Sequence, residues 1–227
     1  MGKVLLARHR PGDRHRHHYE TEDAMTRQQA FTPDELDGER LAVYRSITEG
    51  PRARGPRLFE LVSESGSLLG PFNEFLLSPR LGDALQNLGA AIRYESSLSG
   101  RAREMAILVV AAAWDSAFER SAHEAVGRSV GLTESELTAI ASQAPLDLDD
   151  PHEAAVLRLT RALVTGDVDD ATWSACVPPL NRETVFELTT LVGYYATLAL
   201  QMRTFRIADP GIPVPERRPD PQRPDAH

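Results

Sequence analysis

Apolar residues recur every three or four positions along most of this chain, which is the pattern of helices that bury one face. Thr32-Pro33-Asp34-Glu35 supplies a cap, a first-turn proline and a capping-box glutamate, and predicts a helix that runs to about Glu49. A short helix is expected from Pro71 through Leu77, and Ser78-Pro79 begins the next one. We expect that next helix to bury the apolar face formed by Leu81, Leu85, Leu88 and Ile92.

The second half of the chain continues the helical pattern with clear interruptions. Residues 101–131 carry apolar residues at helical spacing, and this spacing is interrupted at Trp114-Asp115-Ser116. Asp and Ser are favourable helix caps, so a turn is predicted there. Caps at Thr133 and Asp150 predict two further helices. Pro178-Pro179 separates a short helix near residues 170–176 from a long core helix at 182–205. The sequence therefore predicts an all-α fold, whose last helix buries Val185, Leu188, Val192, Tyr195, Ala199 and Met202.

Both ends of the chain differ in composition from this helical middle. Residues 1–30 are polar, and we expect a disordered leader in which Met25 is an alternative start of the native protein. No metal site is predicted at His9, His15, His17 and His18, because the chain has no Cys/His spacing of the zinc type. Residues 207–227 contain six prolines and are expected to be disordered or to form an extended arm on a neighbouring subunit. Residues 31–206 are predicted to form one helical domain.

Composition narrows the classes of partner. The net charge of -8 argues against nucleic acid, because phosphate binding requires a basic face. The single cysteine, Cys176, cannot form an intrachain disulfide, and zinc-site spacing of Cys and His is absent from the sequence, so a reducing cytoplasm is expected. Neither a membrane span nor a signal peptide is predicted. A small-molecule substrate or a protein partner fits these properties.

Three ionisable residues lie in or beside the most apolar segment of the chain. Glu119 and His123 are four residues apart and share one helix face with Ser116. Glu104 lies 19 residues before His123, so it reaches the imidazole only if the chain turns between them. Partial burial would move the pKa values of such groups toward neutrality and let them exchange protons at physiological pH.

Less specific interpretations of these residues remain open. Ser116 and Glu119 fit a capping box, in which Glu119 only satisfies a backbone N–H. His123 could be a core histidine held by Glu119, and Glu104 could pair with a nearby arginine as an ordinary helix charge. A metal bound by Glu119 and His123 would lack a third ligand. Four aromatic residues could line a pocket or simply belong to the core: Tyr94, Trp114, Tyr194 and Tyr195.

Four phrases occur in order with consistent spacing: Leu69-Gly70-Pro71-Phe72-Asn73, Leu77-Ser78-Pro79, Leu98-x2-Arg101-x-Arg103-Glu104-x-Ala106-Ile107-Leu108 and Phe118-Glu119-x3-His123. Together they resemble the carboxymuconolactone decarboxylase family, which includes the alkylhydroperoxidase D proteins, over about residues 58–142. The resemblance implies an AhpD-like helical bundle that assembles as a homotrimer or homohexamer, with its pocket near subunit contacts and with no cofactor.

The peroxidase branch of that family uses the pattern Glu-x11-Cys-x2-Cys-x3-His. Mapped onto this chain, the Glu is Glu104, the His is His123, and the two cysteine positions are Ser116 and Glu119. Without a thiolate there is no nucleophile for a peroxide, so peroxidase activity is disfavoured. The decarboxylase-like branch carries an aromatic-Glu-x3-His phrase and removes CO2 from a lactone acid, leaving an enolate to be protonated.

We therefore expect a cofactor-independent lyase or isomerase. His123 is assigned as the general acid/base, Glu119 as the group that orients or charges it, and Glu104 as a second proton-relay carboxylate. The candidate substrate-binding residues are Ser116, Arg101 and Arg103. The remaining alternative is a non-catalytic oligomer that binds a ligand or a partner through the proline-rich tail.

Overall fold

The structure is a computed structural model that describes residues 26–53 and 58–207, and the regular structure in those residues is helical. Its α-helices are α1 (Gly38–Thr48), α2 (Pro79–Tyr94), α3 (Gly100–Trp114), α4 (Ala117–Ser129), α5 (Glu134–Ala141), α6 (Pro151–Thr165) and α7 (Asp170–Phe205). Short 3-10 turns cover Pro33–Glu35, Pro51–Ala53, Gly70–Phe72 and Glu74–Leu77. The all-α prediction is confirmed for this part of the chain.

The predicted leader as far as residue 25, with its four histidines, and the tail from residue 208 lie outside the described residues. Among the helices that are described, none combines the length and the apolar character needed to cross a lipid bilayer.

Helix α3 is the centre of the fold and packs against α4, α5, α6 and α7. Ala106, Ile107 and Val110 face the larger core, whereas Met105 and Leu108 face a smaller core formed with α5 and α6. A helix that is apolar on all sides is stable only when it is covered on all sides, which explains why this segment has no polar stripe. Each fully buried aliphatic side chain contributes about 1.5–3 kcal/mol to folding.

The connection between α3 and α4 is a sharp reversal of the chain. Asp115 adopts the left-handed conformation (φ 50°, ψ 47°) that ends α3. The N–H of Ser116 donates to the carbonyl of Ala111 at 2.9 Å, and α4 begins at the next residue. The predicted turn at Trp114-Asp115-Ser116 is therefore confirmed, and it brings α4 back against α3.

Helix α7 consists of two segments, as predicted, but the boundary is shifted. Pro178 and Pro179 keep helical backbone angles, and the non-helical residue is Asn181 (φ 56°, ψ 171°). Asn181 Oδ1 accepts a hydrogen bond from the N–H of Thr184 at 3.0 Å and so caps the long second segment. The predicted apolar face of that segment is buried, except that Val185 is half-buried.

The predicted start of the first helix is wrong. Pro33–Glu35 forms only a 3-10 turn with the expected capping box, and Leu36 is then extended (φ -98°, ψ 135°). The side chain of Leu36 is buried, so the chain turns it into the core before α1 begins at Gly38. The short helix expected at 71–77 is likewise two 3-10 turns.

The predicted buried face of α2 is also wrong in part. Leu81 is 60% exposed and Leu88 is exposed too, while Gly82 and Gly89 are buried. A Cβ added at Gly82 would collide with the backbone of Phe75, so the absence of a side chain permits this close approach. Helix α2 therefore packs through its small residues, Leu85 is only partly buried, and Leu81 and Leu88 remain exposed.

A buried asparagine and Gln28 hold residues 26–31 against the 3-10 turns, and Gln28 Nε2 donates to Oε2 of Glu74 at 2.9 Å. Asn73 Nδ2 donates to the carbonyl of Gln29 at 2.6 Å, and Asn73 Oδ1 accepts from the N–H of Phe31 at 3.1 Å. The ring of Phe31 is part of the larger core. This segment thus completes the wall of the bundle beside the turn Gly70–Phe72.

Candidate active site

A cavity of about 30 Å³ lies where α2, α4 and α7 meet the turns Pro51–Ala53 and Gly70–Phe72. Aromatic rings, among them Phe72 and Phe118, form its apolar wall. The volume accommodates a water molecule or a carboxylate group, whereas whole small-molecule ligands occupy about 300 Å³ or more, so a ring-sized ligand requires wall side chains to move. The polar residues that line the cavity are Arg52, Arg93, Glu119, His123, Tyr194 and Tyr195.

The reversal between α3 and α4 brings Glu104 and His123 together. Nδ1 of His123 lies 2.6 Å from Oε2 of Glu104, and both side chains are buried. The four-residue spacing suggested that Glu119 orients His123, and that expectation is wrong. Helix α3 places Glu104 beside the imidazole instead. Neither carboxylate oxygen of Glu119 makes a hydrogen bond within the described residues.

Two arginines hold Glu104 as a carboxylate. Glu104 Oε1 lies 3.6 Å from Arg103 Nε and 4.0 Å from Arg93 Nη1. Burial acts to raise the pKa of Glu104, but His123 and the two arginines together lower it below its usual value. Burial lowers the pKa of His123, and the attraction of Glu104 offsets only part of that effect. The pair is therefore a neutral imidazole that donates its Nδ1–H to a carboxylate, which leaves Nε2 for a ligand.

Glu119 is an isolated acid in the first turn of α4. It is 3% exposed, and burial raises its pKa to about 8. The capping-box alternative is not realised, because the N–H of Ser116 already donates to Ala111. Glu119 is thus a protonated carboxylic acid at neutral pH, so the cavity holds a proton donor and a neutral imidazole.

The three expected substrate-binding residues do not line this cavity. Arg101 Nε lies 2.9 Å from Glu153, and its guanidinium also pairs with Glu136, so Arg101 ties α3 to α5 and α6. Arg103 faces Glu104. Ser116 borders a separate cavity of about 230 Å³ between the α3–α4 turn and the end of α7. The structure therefore does not place Arg101, Arg103 or Ser116 in the wall around His123.

Arg52 and Arg93 line the cavity and were not singled out from the sequence. Arg93 continues the packed face of α2 one turn beyond Gly89, so the spacing would have indicated it if the small residues had been taken as the buried side. Arg52 comes from a short turn that carries no local signal for a site.

Two of the four aromatic candidates belong to the site. Tyr194 and Tyr195 line the cavity, and the ring of His123 packs edge-on against Tyr195 with 5.2 Å between centroids. Tyr94 is about half exposed, and Trp114 borders the cavity beside Ser116. Across residues 26–53 and 58–207, no cluster of three His, Cys, Asp or Glu side chains is arranged to hold a metal ion.

The central helices of the chain match one known protein family. Residues 79–162 match the family model described as the carboxymuconolactone decarboxylase family. No curated protein matches the chain. The matched segment runs from α2 through most of α6, whereas Arg52 and Tyr194 lie outside it. The segment that holds Glu104, Glu119 and His123 is therefore similar to the carboxymuconolactone decarboxylase family, as the sequence phrases suggested.

Proposed function

We propose that this protein is a cofactor-independent lyase or isomerase that acts on a small carboxylated lactone or a related enolisable acid. The observation that carries the proposal is the 2.6 Å contact between His123 Nδ1 and Glu104 Oε2, beside a cavity that is also lined by Glu119. The family segment supports chemistry of this class. A neutral base and a protonated acid in one desolvated cavity are the groups that an enolate intermediate requires.

In a decarboxylation, the bond from carbon to the substrate carboxylate breaks, CO2 leaves, and the electron pair remains as an enolate. Glu119 then protonates the enolate carbon and recovers its proton from solvent. In a proton shift, Nε2 of His123 removes one proton while Glu119 supplies another. Glu104 acts through His123, because its carboxylate orients the ring and stabilises the imidazolium that forms.

A thiol peroxidase is not favoured. The positions of the cysteine pair are occupied by Ser116 and Glu119, and the single cysteine of the chain, Cys176, is buried in α7 and does not line the cavity. Burial also raises the pKa of the Cys176 thiol. A buried thiol of this kind is a poor nucleophile toward a peroxide.

The proposal includes assembly as a homotrimer or homohexamer. Leu77, Leu81 and Leu88 are exposed on and beside α2, and Phe186 on α7 is 73% exposed. Exposed apolar surface of this kind marks interaction sites. Light scattering after size-exclusion chromatography should give the mass of three or six chains, and Leu81→Glu should lower it, whereas a monomeric wild-type protein contradicts this part of the proposal.

The test of the reaction is CO2 release from carboxymuconolactone by the wild type, His123→Asn and His152→Asn. His152 is the matched control because it lies on α6 and does not line the cavity. We expect His152→Asn to match the wild type and His123→Asn to be slower by about 100-fold or more. Deuterium incorporation at the acidic carbon of a panel of lactone and keto acids, followed by NMR, extends the assay to an isomerase.

Two results contradict the proposal. The first is a wild-type protein that neither releases CO2 nor exchanges deuterium with any acid of the panel. The second is a His123→Asn variant as active as the wild type. The pH dependence gives a further check, because Glu119 has a pKa of about 8 and its role as proton donor ends above that pH. Activity should decrease as pH rises through about 8. In Glu119→Gln, any residual activity should no longer show this decrease at alkaline pH.

A further inference from the structure

Besides the two carboxylate oxygens of Glu119, two polar atoms beside the cavity have no hydrogen-bond partner in residues 26–53 and 58–207. They are Nη2 of Arg52 and Oη of Tyr194, and both are shielded from solvent. The two atoms lie close together beside Gly89, but they do not form a hydrogen bond with each other. A buried donor without an acceptor loses its hydration and gains nothing in return, and the loss is larger for a charged donor. Such a pair therefore requires an explanation.

The rest of the Arg52 guanidinium is held in place. Its Nε donates to Oε1 of Gln86 at 2.9 Å, and its Cζ lies 5.1 Å from the centroid of the Phe72 ring. Gly89 provides the space for the free end, because a Cβ at that position would collide with both Arg52 Nη2 and Tyr194 Oη. The absence of a side chain at Gly89 therefore lets Arg52 Nη2 and Tyr194 Oη lie close to the backbone of α2.

The side chains around the cavity carry a net positive charge at neutral pH. Glu104 is the ionised acid beside the cavity, and it lies 4.0 Å from Arg93. Glu119 is protonated at neutral pH. Arg52 makes no ion pair with any carboxylate of the described residues, so an additional anion would be favourable next to its free nitrogen.

We infer that Arg52 and Tyr194 form an anion subsite that holds a carboxylate group of the ligand, with Arg52 Nη2 and Tyr194 Oη as donors to its oxygens. A guanidinium with one edge fixed matches the planar geometry of a carboxylate. The cavity of about 30 Å³ accommodates that group. Arg52 and Phe59 also line a second cavity of about 110 Å³, which provides space for the remainder of the ligand.

This subsite deepens the proposed function. The identification of the bound carboxylate as part of a substrate rests on that proposal, but binding at Arg52 does not depend on the reaction. Binding and turnover are therefore measured separately.

The experiment measures the binding of acetate and benzoate by isothermal titration calorimetry and thermal unfolding, with chloride at equal ionic strength as the reference. The variants are Arg52→Gln, Arg52→Lys and Tyr194→Phe, and Arg80→Gln is the control because its side chain is 89% exposed. We expect Arg52→Gln to weaken binding by at least about tenfold and Tyr194→Phe by a few-fold. Arg52→Lys keeps the charge, so it folds as the wild type and binds with intermediate affinity.

The inference is overturned if chloride raises the melting temperature as much as the carboxylates do, or if no carboxylate binds the wild type. It is also overturned if folded Arg52→Gln and Arg52→Lys bind carboxylates as tightly as Arg80→Gln. His123→Asn separates the two proposals, because it should lose turnover and keep carboxylate binding. Binding at Arg52 without any turnover by the wild type would contradict only the reaction. Turnover with an unchanged KM in Arg52→Gln would contradict only the subsite.

Discussion

Replacement of Glu119 by glutamine is the perturbation with the clearest expected effect on folding. Glu119 is 3% exposed, and neither carboxylate oxygen has a hydrogen-bond partner among the described residues. Burial raises its pKa from the ordinary value of 4.5 to about 8. Glu119→Gln keeps the shape of the side chain and removes its ability to ionise, so the variant isolates the electrostatic effect.

The sign and size of the effect follow from this pKa. Because the folded state holds the proton more tightly than the unfolded state, the stability associated with protonated Glu119 is complete below about pH 4.5 and is lost as pH rises through about 8. A tenfold change in proton affinity corresponds to about 1.4 kcal/mol, so the complete loss is about 5 kcal/mol. About 3 kcal/mol of it has already been lost at pH 7.

Urea denaturation followed by circular dichroism, at several values from about pH 4 to about pH 9, measures this quantity. Glu119→Gln should match the wild type at the acidic end and exceed its free energy of unfolding by about 3 kcal/mol at pH 7. Glu124→Gln, on the same helix but in a partly exposed pair with Arg128, should shift stability by less than about 1 kcal/mol at every pH. A difference between wild type and Glu119→Gln that stays constant across this range would refute the reasoning.

Three further variants test other contacts. Glu104→Gln leaves two buried arginines facing an uncharged group, so we expect a loss of about 3–5 kcal/mol in urea unfolding, and an unchanged midpoint would contradict the assigned ion pairs. Gly89→Ala adds a Cβ that collides with Tyr194, so calorimetry should show a destabilisation of about 1–3 kcal/mol, and an equal melting temperature would show that the approach is looser than described. Asn73→Ala removes the acceptor of the Phe31 N–H, so hydrogen exchange at that amide should become about tenfold faster or more, and unchanged protection would mean that another contact holds the segment.

Local sequence signals predicted the elements that carry the catalytic candidates. The loss of apolar phase at Asp115 and Ser116 placed the turn correctly, and that turn is what brings Glu104 to His123. The prediction was possible because helix caps and helix periodicity act over a few residues. The same local reasoning chose the wrong partner for His123, since a spacing of four residues shows which side chains share a face and does not show what the neighbouring helix presents to them.

The errors on α1 and α2 have a common cause. Leu36 interrupts the expected helix because its side chain is buried in the core, and Leu81 is exposed because α2 packs through Gly82 and Gly89. In both places contacts between distant segments outweighed local preference. Propensities amount to a few tenths of a kcal/mol per residue, whereas burying a large side chain contributes about 1.5–3 kcal/mol.

The amino-acid sequence was enough to predict the order of the helices and the position of the α3–α4 turn, because each depends on neighbours within a few turns of helix. It also indicated the candidate residues Glu104, Glu119 and His123. The partner of His123, the raised pKa of Glu119 and the presence of Arg52 beside the cavity depend on which elements pack together. Desolvation and charge pairing act through space between residues that are far apart in the chain. Only the tertiary structure therefore decides which of these ionisable groups is a carboxylate, which is a protonated acid, and which cation remains available for an anionic ligand.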